Sequence, residues 1–169
     1  MIGLAEVGLV SVALVIGSGC GWIFGKQQKP MRVEVVFVGS DSLNFDGTKF
    51  QPVQVKAYIL TREHRFLAAD VRAFFNPEFD PGFMSEFEKD MLGSATAIVA
   101  PGEKSLPMLI EIPYAKLHDV KPMIGVIANF AQPPRGEHRE RMIKGIPKKS
   151  KQIACFSLGT DWVEAGKCK

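Results

Sequence analysis

Residues 31–38, MRVEVVFV, decide the fold, because apolar side chains alternate along this segment. A repeat of two residues places one apolar face of an extended strand against a core. Residues 53–60, VQVKAYIL, repeat the pattern and predict a second strand. Four further strands are predicted where apolar residues cluster between turn signals, at residues 95–100, 106–112, 124–130 and 153–158.

Two short helices are predicted between the second and third strands. Apolar residues between positions 65 and 75 follow helical spacing, and Asn76-Pro77 ends the run. Phe83, Phe87 and Met91 recur at four-residue steps, and Gly93 follows where a C-terminal cap is wanted. We interpret these aromatic residues as core residues that cover a sheet. Many short strands and only two brief helices predict a mainly β fold, an antiparallel β-sandwich with a short inserted helical element.

An uncharged segment precedes the predicted domain. Residues 7–25 contain no charged side chain, and Gly17-Ser18-Gly19 leads directly to Cys20. An apolar segment followed by small residues is typical of a secretory signal. When Cys comes next, its thiol can accept a diacylglycerol and become the mature N-terminus. The alternative is an uncleaved membrane anchor, since nineteen uncharged residues are long enough to span a bilayer.

The lipoprotein interpretation divides the chain into three parts. Residues 1–19 are the signal peptide, residues 20–30 are a lipidated tether, and residues 31–169 form one periplasmic domain. An Asp directly after the lipidated Cys commonly holds a lipoprotein in the inner membrane. Gly21 occupies that position here, so delivery to the outer membrane is favoured.

Composition and motifs argue against most chemical functions. The hydrophobic content of 46% excludes a disordered chain, and a net charge of +3 does not indicate nucleic-acid binding. The three histidines lie far apart and form no metal-binding spacing, so no metal site is predicted. The chain also lacks the nucleophile elbow GxSxG and the phosphate-binding glycine motifs. No catalytic residue is therefore predicted, and an envelope hydrolase has no support.

Two features of the C-terminal third leave alternatives open. Cys155 and Cys168 could form a disulfide in an oxidising compartment, or remain free thiols in a loosely ordered tail. Residues 135–151 carry seven basic residues against two acidic ones. This segment is interpreted as a solvated loop between two strands. The functional alternative is contact with anionic lipid headgroups or with an acidic partner.

Taken in order, these features resemble the outer-membrane lipoproteins of the type VI secretion system, the TssJ or SciN family. The resemblance covers nearly all of the predicted mature chain. It rests on Cys20, on LNFDG at residues 43–47 followed by Pro52-Val53, and on VQVKAYIL running into Phe66 and Ala69-Asp70. Further matches are Leu92-Gly93, Pro101-Gly102 and IGVIANF at residues 124–130.

The resemblance implies a transthyretin-like β-sandwich, attached by acyl chains to the inner leaflet of the outer membrane. It implies a structural role without enzymatic activity or a cofactor other than the covalent lipid. The protein would bind the periplasmic C-terminal domain of TssM and so fix a multi-subunit secretion complex across the envelope. In this family the loop between the first two strands contacts the partner. Carried onto residues 41–51, this assigns partner binding to Asp41, Ser42, Leu43, Asn44, Phe45, Asp46, Gly47 and Thr48.

Two alternatives to this assignment stay open. The loop could be a surface turn in which Phe45 and Phe50 fold back on the sandwich. The protein could also be a periplasmic pilotin-like chaperone or a ligand-binding lipoprotein, which a cavity lined by the helical aromatic residues would favour.

Overall fold

The computed structural model describes residues 29–133, 136 and 139–168. Within these residues the chain forms eight strands: β1 (Met31–Gly39), β2 (Val53–Leu60), β3 (Met91–Val99), β4 (Met108–Ile112), β5 (Met123–Ala128), β6 (Arg141–Gly145), β7 (Lys151–Leu158) and β8 (Val163–Ala165). Between β2 and β3 lie α1 (His64–Ala68), α2 (Val71–Phe75), α3 (Pro81–Phe87) and the 3-10 turn Glu88–Asp90, together called the helical insert. A further 3-10 turn, Tyr114–Leu117, connects β4 with β5.

The strands form two four-stranded sheets that enclose the core. One sheet has the order β4-β1-β7-β8 and the other has the order β3-β2-β5-β6. The alternating apolar residues of β1 and β2 are buried between the sheets, including Val33, Val35, Val55 and Ala57. The prediction of a mainly β sandwich with an inserted helical element is confirmed.

One strand pair departs from the antiparallel prediction. β1 and β7 run parallel, with Arg32 opposite Lys151 and Gly39 opposite Leu158. Parallel neighbours require a long crossover connection, and here most of the domain lies between the two strands. The remaining strand pairs are antiparallel.

The helix boundaries differ from the sequence prediction. The expected helix over residues 65–75 is interrupted at Ala69, whose backbone is extended, and Asp70 then caps α2 by accepting a hydrogen bond from the Arg72 amide. The second helix ends at Phe87, so Met91 and Leu92 belong to β3. Gly93 is no helix cap. It lies opposite Ile59 in the sheet, where an added Cβ would come within 2.7 Å of the Ile110 side chain.

Two strands, β6 and β8, were not predicted from the sequence. β6 corrects the interpretation of the basic segment, residues 135–151. β8 has only three residues, and β6 lies inside the segment that was interpreted as a solvated loop. Arg141 of β6 is buried, and its Nη1 donates to the carbonyl oxygens of Phe66, Leu67 and Ala69 at 2.6, 3.1 and 2.9 Å. Its Nε pairs with Glu140 at 2.7 Å. Arg141 therefore satisfies carbonyls at the end of α1, which have no partner within that helix.

The helical insert covers the outer face of the second sheet. Phe66, Phe74 and Phe87 pack on Tyr58 of β2, and the Tyr58 and Phe87 ring centroids are 5.0 Å apart in an edge-to-face contact. Burial among these rings raises the pKa of the Tyr58 hydroxyl, because the low-dielectric surroundings disfavour its charged form. The helical aromatic residues are thus core residues, as predicted.

A disulfide joins Cys155 of β7 to Cys168, and the two Cα atoms are 5.4 Å apart. The amide of Gly166 also donates to the Cys155 carbonyl at 2.9 Å. Both contacts hold the C-terminal segment against β7.

Candidate functional site

The β1–β2 loop lies at one end of the sandwich, where three other connections meet it. The Asn44 amide donates to the Gly159 carbonyl at 3.3 Å in the β7–β8 turn. The Gly102 amide of the β3–β4 connection donates to the Ser40 carbonyl at 3.1 Å. The Ala131 amide of the β5–β6 connection donates to the Asn44 Oδ1 at 2.6 Å. The loop is therefore braced on several sides.

Two residues of the sequence assignment lie inside the domain, at the base of the loop. Leu43 is fully buried in the core, and Asn44 is only 4% exposed. The Asn44 Nδ2 donates to the Pro52 carbonyl at 2.9 Å, so this side chain joins both strands of the loop to the neighbouring connection. Its φ of 49° lies in the left-handed region that Asn tolerates better than most residues. Leu43 and Asn44 thus support the loop from within and offer no surface to a partner.

The tip of the loop is a tight hairpin. Phe45 and Phe50 form an antiparallel bridge, and the Asp46 amide donates to the Lys49 carbonyl at 3.1 Å. Gly47 occupies the turn with a φ of 103°, a conformation that an L side chain rarely adopts. Gly47 and Thr48 are the central residues of the turn, so Asp46 lies opposite Lys49 and Phe45 lies opposite Phe50.

Asp46 organises this turn with its carboxylate. Oδ1 accepts hydrogen bonds from the Thr48 amide at 2.8 Å, the Thr48 hydroxyl at 2.7 Å and the Lys49 amide at 2.9 Å. The Gln51 side chain donates to Oδ2. The Lys49 amide, followed by the Thr48 hydroxyl and amide, holds the pKa of Asp46 well below its ordinary value. The charged carboxylate therefore acts mainly within the loop.

The two phenylalanines give the tip an apolar surface. Their ring centroids are 5.1 Å apart, and Phe45 is half-buried while Phe50 remains 50% exposed. The rings pack on each other, so Phe50 does not fold back into the core. Gly47, Thr48 and Lys49 are exposed beside them, and Asp41 and Ser42 are exposed where the loop begins. A rigid aromatic side chain within a polar rim is typical of a protein interface.

The sequence assignment names partner-binding residues up to Thr48, and the loop onto which it was carried, residues 41–51, also contains Lys49 and Phe50. The turn brings both to the tip, because it places Lys49 opposite Asp46 and Phe50 opposite Phe45.

The predicted lipidation residue, Cys20, lies outside the described residues. Among the residues that the structure describes, no helix is both long enough and apolar enough to cross a bilayer. The same residues contain no cluster of three or more His, Cys, Asp or Glu side chains that could hold a metal ion.

Together these features define a class of protein, a β-sandwich module that presents a preformed hairpin at one end. The chain belongs to the family of type VI secretion lipoproteins described as VasD, EvfM and TssJ, whose sequence model matches residues 31–155. Members of this family are structural lipoproteins of the secretion system. The protein is accordingly a structural component and not an enzyme, and it uses no cofactor.

Solved structures of low sequence identity share the fold. Lip of Serratia marcescens, a membrane-bound component of the type VI secretion system, aligns with a TM-score of 0.62 and 20% identity over 83% of this chain and 99% of its own. The lipoprotein TssJ1 of Pseudomonas aeruginosa aligns with a TM-score of 0.58 and 17% identity over 83% and 99%. A chain in the structure of the TssM C-terminal domain from EAEC gives 0.60 and 16% over 80% and 98%. No curated protein sequence matches significantly.

Proposed function

We propose that the protein anchors the type VI secretion complex to the outer membrane by binding the periplasmic C-terminal domain of TssM. Cys20 would carry the acyl chains, and the β1–β2 hairpin would contact the partner. Membership of the secretion lipoprotein family supports this role, as does the likeness to a chain from a TssM C-terminal domain structure. Anchoring by acyl chains needs no catalytic residue, and two or three chains give stable attachment where one holds weakly.

The observation that carries the proposal is the exposed Phe50 ring on a preformed hairpin. Phe45 supports one side of this ring, and the hydrogen bonds of Asp46 fix the turn between them. A side chain that is already held in place loses little conformational entropy when it binds, so its buried area contributes more fully to affinity. Phe50 is therefore the side chain from which we expect the largest contribution.

The test compares Phe50→Ala with Phe79→Ala, a matched variant on the helical insert. Phe79 is 42% exposed, close to the 50% of Phe50, but it lies outside the loop. We expect Phe50→Ala to weaken binding of the TssM periplasmic domain about 30-fold, equivalent to about 2 kcal/mol, and Phe79→Ala to leave it unchanged. Calorimetric titration measures both affinities, and urea unfolding establishes that both variants are folded. Equal affinities for Phe50→Ala and the parent would contradict the loop assignment.

The anchoring part of the proposal has its own measurement. The intact mass of the protein extracted from membranes should be that of the chain from Cys20 onward plus its acyl chains. The mass of the full precursor without acyl chains would exclude lipidation at this residue. Fractionation of the envelope should recover the protein with the outer membrane.

The pilotin-like alternative would use a cavity lined by the helical aromatic residues. Those residues pack ring against ring instead, with Phe74 and Phe83 centroids 4.8 Å apart and Phe74 and Phe87 centroids 5.3 Å apart. These are contact distances of a packed core. We therefore favour anchoring over carriage of a ligand.

A further inference from the structure

Charge is divided unequally between the two ends of the sandwich. The tether end comprises residues 29–30, 61–63, 88–90, 113–122 and 144–150, where the described chain begins and where β1, β3 and β7 start. The loop end comprises residues 40–52, 100–107 and 159–162 and the described residues of the β5–β6 connection. The tether end has four acidic residues, Glu63, Glu88, Asp90 and Asp119, and eight basic ones: Lys29, Arg62, Lys89, Lys116, Lys121, Lys144, Lys148 and Lys149.

The tether end therefore has a formal excess of four positive charges, and all eight basic residues are exposed. The loop end has the opposite sign. It carries three basic residues against five acidic ones, which are Asp41, Asp46, Glu103, Glu140 and Asp161. The net charge of the whole sequence is only +3. The difference in charge between the two ends therefore arises because the fold brings basic loops together at one end and acidic loops together at the other.

Several segments are fastened together at the tether end. The Lys148 Nζ donates to the Leu117 carbonyl at 2.7 Å, and the Ile146 amide donates to the Pro122 carbonyl at 3.0 Å. The Arg32 amide donates to the Ser150 carbonyl at 3.0 Å, which joins the start of β1 to the same surface. The lysines of this end are therefore carried by a fixed surface of the fold.

Two grooves on this surface combine an apolar lining with basic side chains. A groove of about 280 Å³ is lined by Met31, Tyr114 and Leu117, together with Lys29, Lys148, Lys149 and Ser150. A larger groove, of about 1120 Å³, lies between Val120, Met123 and Ile146 and is bordered by Arg62, Lys121 and Lys148. Lys148 contributes to both grooves. Exposed lysines beside an apolar lining are suited to the boundary between water and lipid headgroups.

We propose that the tether end is a docking surface for the headgroups of anionic phospholipids, so that the basic end faces the bilayer and the β1–β2 loop points away from it. The inference rests on the proposed lipid anchoring, which brings this end to the membrane. Eight residues lie between Cys20 and Lys29, and the nine Cα–Cα steps span about 30 Å at most when fully extended. Lysines held within about one Debye length of an anionic surface, ~10 Å, are attracted to it.

This arrangement would give the anchored domain a defined orientation relative to the membrane. β1 has nine residues and crosses the domain from the tether end to the loop end, a distance of roughly 30 Å at 3.3 Å per residue. The acidic loop end would be repelled by the same headgroups that attract the lysines. Phe50 would then be presented away from the membrane.

The test uses the acylated full-length protein, extracted from membranes and reconstituted into two kinds of vesicle. One kind contains phosphatidylcholine alone, and the other also contains phosphatidylglycerol. An amine-reactive label followed by mass spectrometry reports the accessibility of Lys148 relative to Lys49, which is exposed at the loop end. We expect the relative labelling of Lys148 to fall several-fold in the anionic vesicles only, and to recover in high salt because exposed charges are screened.

Two variants with equal charge change complete the design. In the variant with Lys121→Gln and Lys149→Gln the protection of Lys148 should be lost, whereas it should persist with Lys49→Gln and Lys104→Gln. In the second variant Lys49 is absent, so the labelling of Lys148 is compared directly between the two vesicle types. Equal labelling in both vesicle types, or protection by soluble glycerophosphate in phosphatidylcholine vesicles, would overturn the proposal. Failure of the anchoring itself is distinguished by protein that does not remain with either kind of vesicle.

Discussion

Replacement of Asn44 tests whether the β1–β2 loop is held in shape from inside the domain. Asn44→Ala removes the hydrogen bonds to the Pro52 carbonyl and from the Ala131 amide, and both groups lose a partner in a site where Asn44 is only 4% exposed. Two such losses should cost about 2–4 kcal/mol of unfolding free energy. The φ of 49° adds about 1 kcal/mol for alanine, which tolerates the left-handed region less well than asparagine.

The magnitude can be separated into its two causes with a second variant. Asn44→Gly loses the same hydrogen bonds but relieves the backbone strain, so we expect it to be less destabilised than Asn44→Ala. Ser42→Ala, two residues away and exposed, is the control and should stay within about 0.5 kcal/mol of the parent. Urea unfolding measures the three differences. Hydrogen exchange of the Ala131 amide should accelerate in both Asn44 variants.

A loss below about 0.5 kcal/mol for Asn44→Ala, with Ala131 exchange unchanged, would refute the supporting role of Asn44. The result also bears on binding studies. If the loop depends on Asn44, a weaker affinity of an Asn44 variant for TssM reports a disordered loop and not a lost contact. Phe50 variants, whose side chain is exposed, are therefore the more direct test of the interface.

Three further measurements follow from buried, charged and covalent contacts. Arg141→Met should lower the unfolding free energy, measured by urea unfolding, by about 3–5 kcal/mol, because it leaves Glu140 buried without its partner. Lys144→Gln on the same strand is the control and should have little effect. A loss below about 1 kcal/mol for Arg141→Met would contradict the role of Arg141. The depressed pKa of Asp46 means that its carboxylate stabilises the loop above the ordinary pKa of about 3.9 and that this stabilisation is lost as pH falls below it. Hydrogen-exchange protection of the loop should therefore decrease on acidification, and Asp46→Asn should remove most of that pH dependence. Cys155 and Cys168 should react with a thiol reagent only after reduction, and equal alkylation before and after reduction would exclude their disulfide.

The alternation of apolar and polar residues was sufficient to predict β1 and β2, the strands that lie inside each sheet. β2 has the predicted bounds, and β1 extends one residue beyond its prediction, because both have alternating apolar residues that face the core. The pattern was insufficient for β6, whose Arg141 reads as a solvent-exposed charge in the sequence. Its burial depends on the carbonyls of Phe66 and Leu67, which lie 75 and 74 residues away along the chain.

The candidate site, too, could be predicted only in part from local sequence. The resemblance carried by LNFDG assigned the site to the β1–β2 loop, and the Gly47 of this motif lies in the turn. Neither indicates that Leu43 and Asn44 point inward. That outcome depends on a hydrogen bond between Asn44 and Ala131, which are 87 residues apart.

The sequence by itself determined the class of fold, the family and the position of the β1–β2 loop, since periodicity and turn chemistry are properties of neighbouring residues. Only the tertiary structure decided the parallel pairing of β1 with β7, the burial of Asn44 and Arg141, and the separation of charge between the two ends. Each of these depends on segments that are distant along the chain and meet only when both sheets close on a common core. A local pattern records which face of a strand is apolar, but it does not record which loop will lie beside another.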